Sequence, residues 1–138
     1  MDADDIQAVE EILAEGALLY QTLQVLVSRS NDTHINIDPS AEQLAELTIL
    51  AAKELRALGI EPKVALLSHS NFGSSDAPSA IKMRETLAIL REKAPELKVD
   101  GEMHGDCALD ESLRKSIMPD STLMGDANLL VLPNIDAA

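Results

Sequence analysis

Aromatic residues are almost absent from this chain of 138 residues, which has one Phe, one Tyr and no Trp. Its core must therefore be aliphatic. Cysteine is as scarce: Cys107 stands alone, so no intrachain disulfide can form. A lone cysteine in a chain of intracellular character reads as a small buried hydrophobe, with a reactive thiol as the alternative. Positive charge is also short. Eleven Lys and Arg face 24 Asp and Glu, a formal net charge of −13. Such a surface repels phosphate backbones and anionic membranes. The basic residues are scattered singly, as at Lys82, Arg84, Arg91 and Lys93, with no basic patch. No nucleic-acid or membrane partner is expected. No run of about 18 apolar residues is present, so no membrane span is expected. The start, Met1-Asp2-Ala3-Asp4-Asp5, lacks the basic and apolar regions of a signal peptide. A cytoplasmic location follows by default.

What is present is a globular composition, 46% apolar. The length suits one domain that buries roughly two-thirds of its unfolded surface.

Periodicity divides the chain into elements. Ile6, Val9, Leu13, Tyr20, Leu23 and Val27 share a helical stripe interrupted by Gly16. One long helix fits residues 4–27, as does a helix to about residue 15 followed by a strand at Leu23–Val27. A polar loop at 28–32 and a short strand at His34–Ile37 follow. Ser40 and Gln43 form a capping box for a helix whose stripe is Leu44, Leu47, Ala51, Leu55 and Leu58. Gly59 sits at its C′ position, and Pro62 opposes continuation. Val64–Leu67 is a wholly apolar run suited to a strand buried on both faces. Pro78 opens the next helix, with Ile81, Leu87, Ala88 and Leu90 as its inner face, and Pro95 closes it. Leu97–Asp100 is a short strand. Asp106 can cap a helix carrying Leu109, Leu113 and Ile117, ended by Pro119. Leu129–Leu132 is a second apolar strand, cut by Pro133. Strands alternating with helices predict a parallel-sheet α/β sandwich.

In such sheets ligands bind beyond the carboxyl ends of the strands. Three loops occupy that edge. The first, Ser68 to Asp76, supplies hydroxyls, an amide and Gly73, and leads into a helix N-terminus. Ser68, Ser70, Asn71, Gly73, Ser74 and Ser75 are its candidate ligand-binding residues, suited to an anionic or phosphoryl group. A polar connection that caps its own helix fits equally, because no Walker or dinucleotide glycine pattern is present. The second loop, Glu102 to Asp106, offers His104 and Asp106 for hydrogen bonding or acid–base work. Asp106 can also be a plain N-cap. The third loop runs from Pro133 to Asp136. The histidines, at 34, 69 and 104, have no metal-ligand spacing, so no metal is expected.

Several blocks, in order, carry a resemblance. They are Asp32–Asn36, Asp38–Glu46, Gly59–Ser74 with its Ser-His-Ser-Asn-Phe-Gly-Ser, and Val99–Asp106, which reads Asp-Gly-Glu-Met-His-Gly-Asp from Asp100. Pro119–Ser121 and Asn128–Asn134 complete them. From Asp32 onward the chain resembles the phosphate acetyltransferase family, in wording similar to the module at the C-terminal end of bacterial NADP-dependent malic enzymes. The resemblance implies a two-lobed fold similar to isocitrate and isopropylmalate dehydrogenases, with the site between the lobes. The family moves an acetyl group between coenzyme A and phosphate. In the malic-enzyme branch the resemblance implies an allosteric, oligomerising module responsive to acetyl-CoA. Acetyl-CoA or phosphate is then the ligand, no cofactor is held in this segment, and a homo-oligomer is expected. Residues 1–31 match poorly and are read as a divergent segment, with 32–138 a partial family domain. The family continues past Ala138 with a helix and a Ser-Arg loop of its active site. A segment inactive on its own is therefore expected. A segment of a catalytic acetyltransferase and a purely structural dimerisation domain are the alternatives.

Overall fold

The computed structural model describes residues 37–137. The readings for residues 4–27, the loop at 28–32 and the divergent segment 1–31 lie outside the described residues. Of the strand expected at His34–Ile37 only Ile37 is described, and it lies in a bend.

Helix α1 spans Ala41–Ala57, strand β1 Lys63–Leu67, helix α2 Pro78–Lys93 and strand β2 Lys98–Met103. Two short helices follow, α3 at Gly105–Leu109 and α4 at Glu111–Ile117, then strand β3 at Leu129–Val131 and a 3₁₀ turn at Ile135–Ala137. The sheet order is β2-β1-β3, with both pairings parallel. Val64 and Leu66 stand opposite Leu129 and Val131, so the two apolar runs are neighbours as the sequence predicts.

The ends of α1 follow the sequence closely. Ser40 Oγ accepts from Gln43 N–H at 3.3 Å, and Gln43 Oε1 accepts from Ser40 N–H at 2.9 Å, a complete capping box. At the other end Gly59 N–H donates to Arg56 O at 2.9 Å and Ile60 N–H to Leu55 O at 3.0 Å. That is a Schellman stop, and Gly59 takes the positive φ of 80° that it requires. Leu44, Ala45, Ala51, Ala52 and Leu55 form the buried face. Each buried Leu contributes roughly 1.5–3 kcal/mol. Leu58, read as part of that stripe, lies past the last turn and is exposed.

The inner face of α2 differs from the expected one. Ala80, Met83, Thr86, Leu87 and Leu90 are buried, while Ile81 and Ala88 face solvent. Helix α2 packs against both α1 and β2, and the small Ala80 and the polar Thr86 belong to that packed face. Thr86 is satisfied by donating to Lys82 O at 2.8 Å. The single helix expected after Asp106 is two helices. Asp110 breaks it and caps the second, accepting from Leu113 N–H at 3.0 Å. Leu109 and Ile117 are therefore exposed rather than core.

Strand β1 alternates between two layers, as a strand must. Val64 and Leu66 belong to one face. Ala65 and Leu67 turn to the other, into a cluster with Met103, Cys107, Ala108, Leu123 and Ala127. The sheet is thus covered on both sides. Strand β2 is longer than predicted because Gly101 permits it. A Cβ there would lie 2.7 Å from Leu66 O. The strand then carries Glu102 and Met103, read from sequence as loop, into the interior.

Two buried polar groups fasten the connections. Asp100 accepts from Ser121 Oγ at 2.7 Å and from Thr122 N–H at 2.9 Å, fixing the segment after α4. Arg114 is fully buried and donates to four carbonyls, those of Cys107, Ala108, Leu123 and Gly125. No carboxylate faces it among these contacts.

Candidate functional site

The carboxyl ends of the three strands open onto one cleft of about 460 Å³. That lies within the usual size of ligand pockets, roughly 300–1,000 Å³. Leu67, Ser68 and His69 from the first loop line it, with Ser79 from the first turn of α2. Gly105 comes from the second loop, and Leu132, Pro133, Asn134 and Asp136 from the third. The three loops singled out from sequence therefore meet. The walls are apolar at Leu67, Leu132 and Pro133, and the rim carries two hydroxyls, an imidazole, an amide and one carboxylate.

The first loop has a second face, turned inward to Glu102. That carboxylate is fully buried. Its Oε1 accepts from Ser70 Oγ at 2.8 Å, Gly73 N–H at 2.9 Å and Arg84 Nη1 at 3.2 Å. Its Oε2 is buried without a donor among the described residues. Ser74 Oγ lies 3.1 Å from Ser70 Oγ and accepts from Asn71 N–H at 3.0 Å. Ser74 N–H donates to Asn71 O, closing a turn with Phe72 and Gly73 both at positive φ, 48° and 87°. Positive φ at both central positions is the condition of a type I′ turn. Phe72 N–H and Ser68 N–H continue the ladder onto Glu102 O and Met103 O. The loop is a buried-anion cradle whose anion is the protein's own.

The sequence-predicted residues therefore separate. Ser68 lines the cleft, its Oγ accepting from Ser70 N–H at 2.9 Å. Ser70, Gly73 and Ser74 belong to the Glu102 face. Asn71 ties the first loop to the second, its Oδ1 accepting from His104 N–H at 2.8 Å. Ser75 sits beside His69, Oγ to Nε2 at 3.2 Å, and accepts from Ala77 N–H. His104 occupies the N-cap of α3 without a side-chain capping bond. Asp106, read as a cap, lies inside the first turn and accepts from the adjacent Cys107 N–H at 2.7 Å. Its exposed carboxylate cannot reach back to cap a helix that begins before it. Among the described residues no group of three His, Cys, Asp or Glu is placed to hold a metal.

Sequence reasoning passed over His69, Ser79 and Asn134 as site residues. His69 lies between two hydroxyls, with Ser79 Oγ 3.4 Å from its Nδ1. Lys82 shapes the third loop by donating to Pro133 O at 3.1 Å while paired with Asp38. Arg84 does the same for the first, donating to Ser75 O at 2.8 Å and pairing with Asp76. The signal for Ser79 was its place directly after Pro78 at a helix start.

The pattern of the phosphate acetyl/butaryl transferase family matches residues 16–138. The chain belongs to that family. It is 63% identical over 107 residues to an NADP-dependent malic enzyme of Escherichia coli (strain K12). That match covers 78% of this chain and 14% of the relative. It is 46% identical over 105 residues to a phosphate acetyltransferase of Paracoccus denitrificans, covering 75% of this chain and 33% of the other. Among solved structures, the EutD phosphotransacetylase from Staphylococcus aureus superposes with a TM-score of 0.70 at 33% identity. It covers 75% of this chain and 33% of that one. The chain thus spans a minor part of each relative, and its parallel-sheet α/β fold is that of the phosphotransacetylases. No helix among the described residues is long and apolar enough to cross a membrane.

Proposed function

We propose that the cleft takes a phosphate-bearing ligand of the acetyl-CoA class, and that the domain serves a malic enzyme as a regulatory module. The observation that carries this reading is the convergence of the three strand-end loops on one cleft with apolar walls and a rim of hydroxyl, imidazole and amide groups beside the single carboxylate of Asp136. Apolar walls suit an acyl chain, and neutral donors suit phosphate oxygens. The chain's net charge of −13 opposes an anion at long range. Salt screens that repulsion beyond roughly 8–10 Å, so the local donors decide. The higher identity to the malic enzyme than to the acetyltransferase supports regulation over acyl transfer. We read the described sheet as part of a two-lobed architecture similar to isocitrate and isopropylmalate dehydrogenases, in a homo-oligomeric protein.

Calorimetric titration of the chain with acetyl-CoA, coenzyme A and phosphate tests the reading. Saturable binding of acetyl-CoA is expected, weakened about 5- to 15-fold in Ser68→Ala with Ser79→Ala, the loss of one or two hydrogen bonds. Absence of saturable binding, or an unchanged double variant, contradicts it. Acetyl phosphate appearing in the mixture would favour the catalytic alternative.

A further inference from the structure

His69 is held by its two ring nitrogens between two hydroxyls, Ser75 Oγ at 3.2 Å and Ser79 Oγ at 3.4 Å. It is exposed and lines the cleft with Ser79. A neutral imidazole has one donor and one acceptor nitrogen, so it accepts a hydrogen bond from one of these serines and donates to the other. An imidazolium donates at both nitrogens. Both serines then act as acceptors toward it, with both hydroxyl protons left for other partners. Protonation therefore brings a positive charge to the cleft and releases one serine hydroxyl from donating to the ring.

The surrounding charges do not duplicate this. Asp136 also lines the cleft and offers a carboxylate, not a cation. On α2, Lys82 is engaged by Asp38 and Pro133 O. In the first loop, Asp76 is paired with Arg84, which also serves Glu102. In the second, His104 and Asp106 flank Gly105, and His104 N–H is held by Asn71. None of these cations lines the cleft, so among the described lining residues His69 is the one that can become positive.

We infer that His69 is the anion-recognition residue of the cleft and that it makes ligand binding proton-linked, tighter when its ring carries the second proton. This rests on the anion-binding reading of the cleft. The residue discriminates by charge. An anionic phosphate or sulfate group gains from protonation, and a neutral acyl portion does not.

Sulfate is the probe, because its charge is constant across the range in which imidazoles titrate, about pH 5 to 8. Its dissociation constant is measured by calorimetry at both ends of that range for the native chain, His69→Gln and His104→Gln. Glutamine keeps one donor and one acceptor without a titratable charge. The native chain and His104→Gln should bind sulfate about tenfold more tightly at the acidic end, the size of effect expected for one partly screened charge at contact distance. His69→Gln should bind as the native chain does at the alkaline end and show no more than about a twofold change with pH. Pronounced pH dependence that survives in His69→Gln, or native binding that ignores pH, overturns the inference and leaves the anion site standing. No sulfate binding at either pH overturns both.

Discussion

The hydroxyl of Ser70 lies 2.8 Å from Oε1 of Glu102, with Ser70 1% exposed and Glu102 fully buried. The pair joins the loop after β1 to the end of β2, across 32 residues of sequence. It shows what holds the cleft in shape. A carboxylate buried without solvent must be balanced by donors, and here the donors are Ser70, Gly73 N–H and Arg84.

Removing that carboxylate should cost more than an ordinary surface change. Glu102→Leu leaves Gly73 N–H without its acceptor and takes one partner each from Ser70 and Arg84, which keep Ser74 and Asp76, and is expected to lower unfolding free energy by about 3 kcal/mol. Glu102→Gln keeps one acceptor oxygen and should lose about 1–3 kcal/mol. Urea unfolding of both variants measures this. A Leu variant within about 1 kcal/mol of the native chain would show that the network contributes little net stability.

Arg114 plays the corresponding part on the other face of the sheet. It is fully buried and bridges α3 to the segment holding Leu123 and Gly125. Arg114→Met removes a donor from four carbonyls at once, of which that of Ala108 keeps a backbone partner, Ala127 N–H at 2.8 Å. A loss of about 3 kcal/mol or more is expected, since each stranded buried acceptor costs roughly 1–3 kcal/mol. The readout is the shift in urea midpoint. A midpoint equal to that of the native chain would mean that water replaces the guanidinium freely.

Cys107 gives a pH-dependent test of the same core. Burial pushes its thiol above the ordinary range, and the Asp106 carboxylate adds to the effect. A raised folded value makes the contribution to stability complete below the unfolded thiol's value, near pH 8.5, and lost as pH rises through the folded one. The native chain should therefore lose more stability between about pH 7.5 and 10 than Cys107→Ala. Equal losses, or a steeper fall in the variant, would contradict the assignment. Iodoacetamide should also label the folded thiol slowly.

Local signals made much of the framework legible. Ser40 with Gln43, Gly59 and Pro78 are short-range devices, and each works as its residue type dictates. The apolar runs at Val64 and Leu129 marked neighbouring parallel strands because wholly apolar strands need cover on both faces. Asp110 was missed because a side chain that breaks and recaps a helix looks, in a 3.6-residue pattern, like any exposed polar residue. The site was half legible. Position at a strand's carboxyl end identified the loops, and they do meet. Which hydroxyl points where was not readable, because it depends on Glu102. A glutamate between Gly101 and Met103 reads as loop until the pairing of β2 with β1 carries it inside.

The three strand-end loops are proposed to form one ligand site. Amide NMR spectra of the chain, recorded while acetyl-CoA is added, test it most directly. Saturable shifts confined to Ser68, His69, Ser79, Gly105, Asn134 and Asp136, the cleft residues, are expected. The amides of Ser70 and Gly73, committed to the Ser68 and Glu102 side chains, should move little. Shifts centred elsewhere in the fold, or none at millimolar acetyl-CoA, would contradict it.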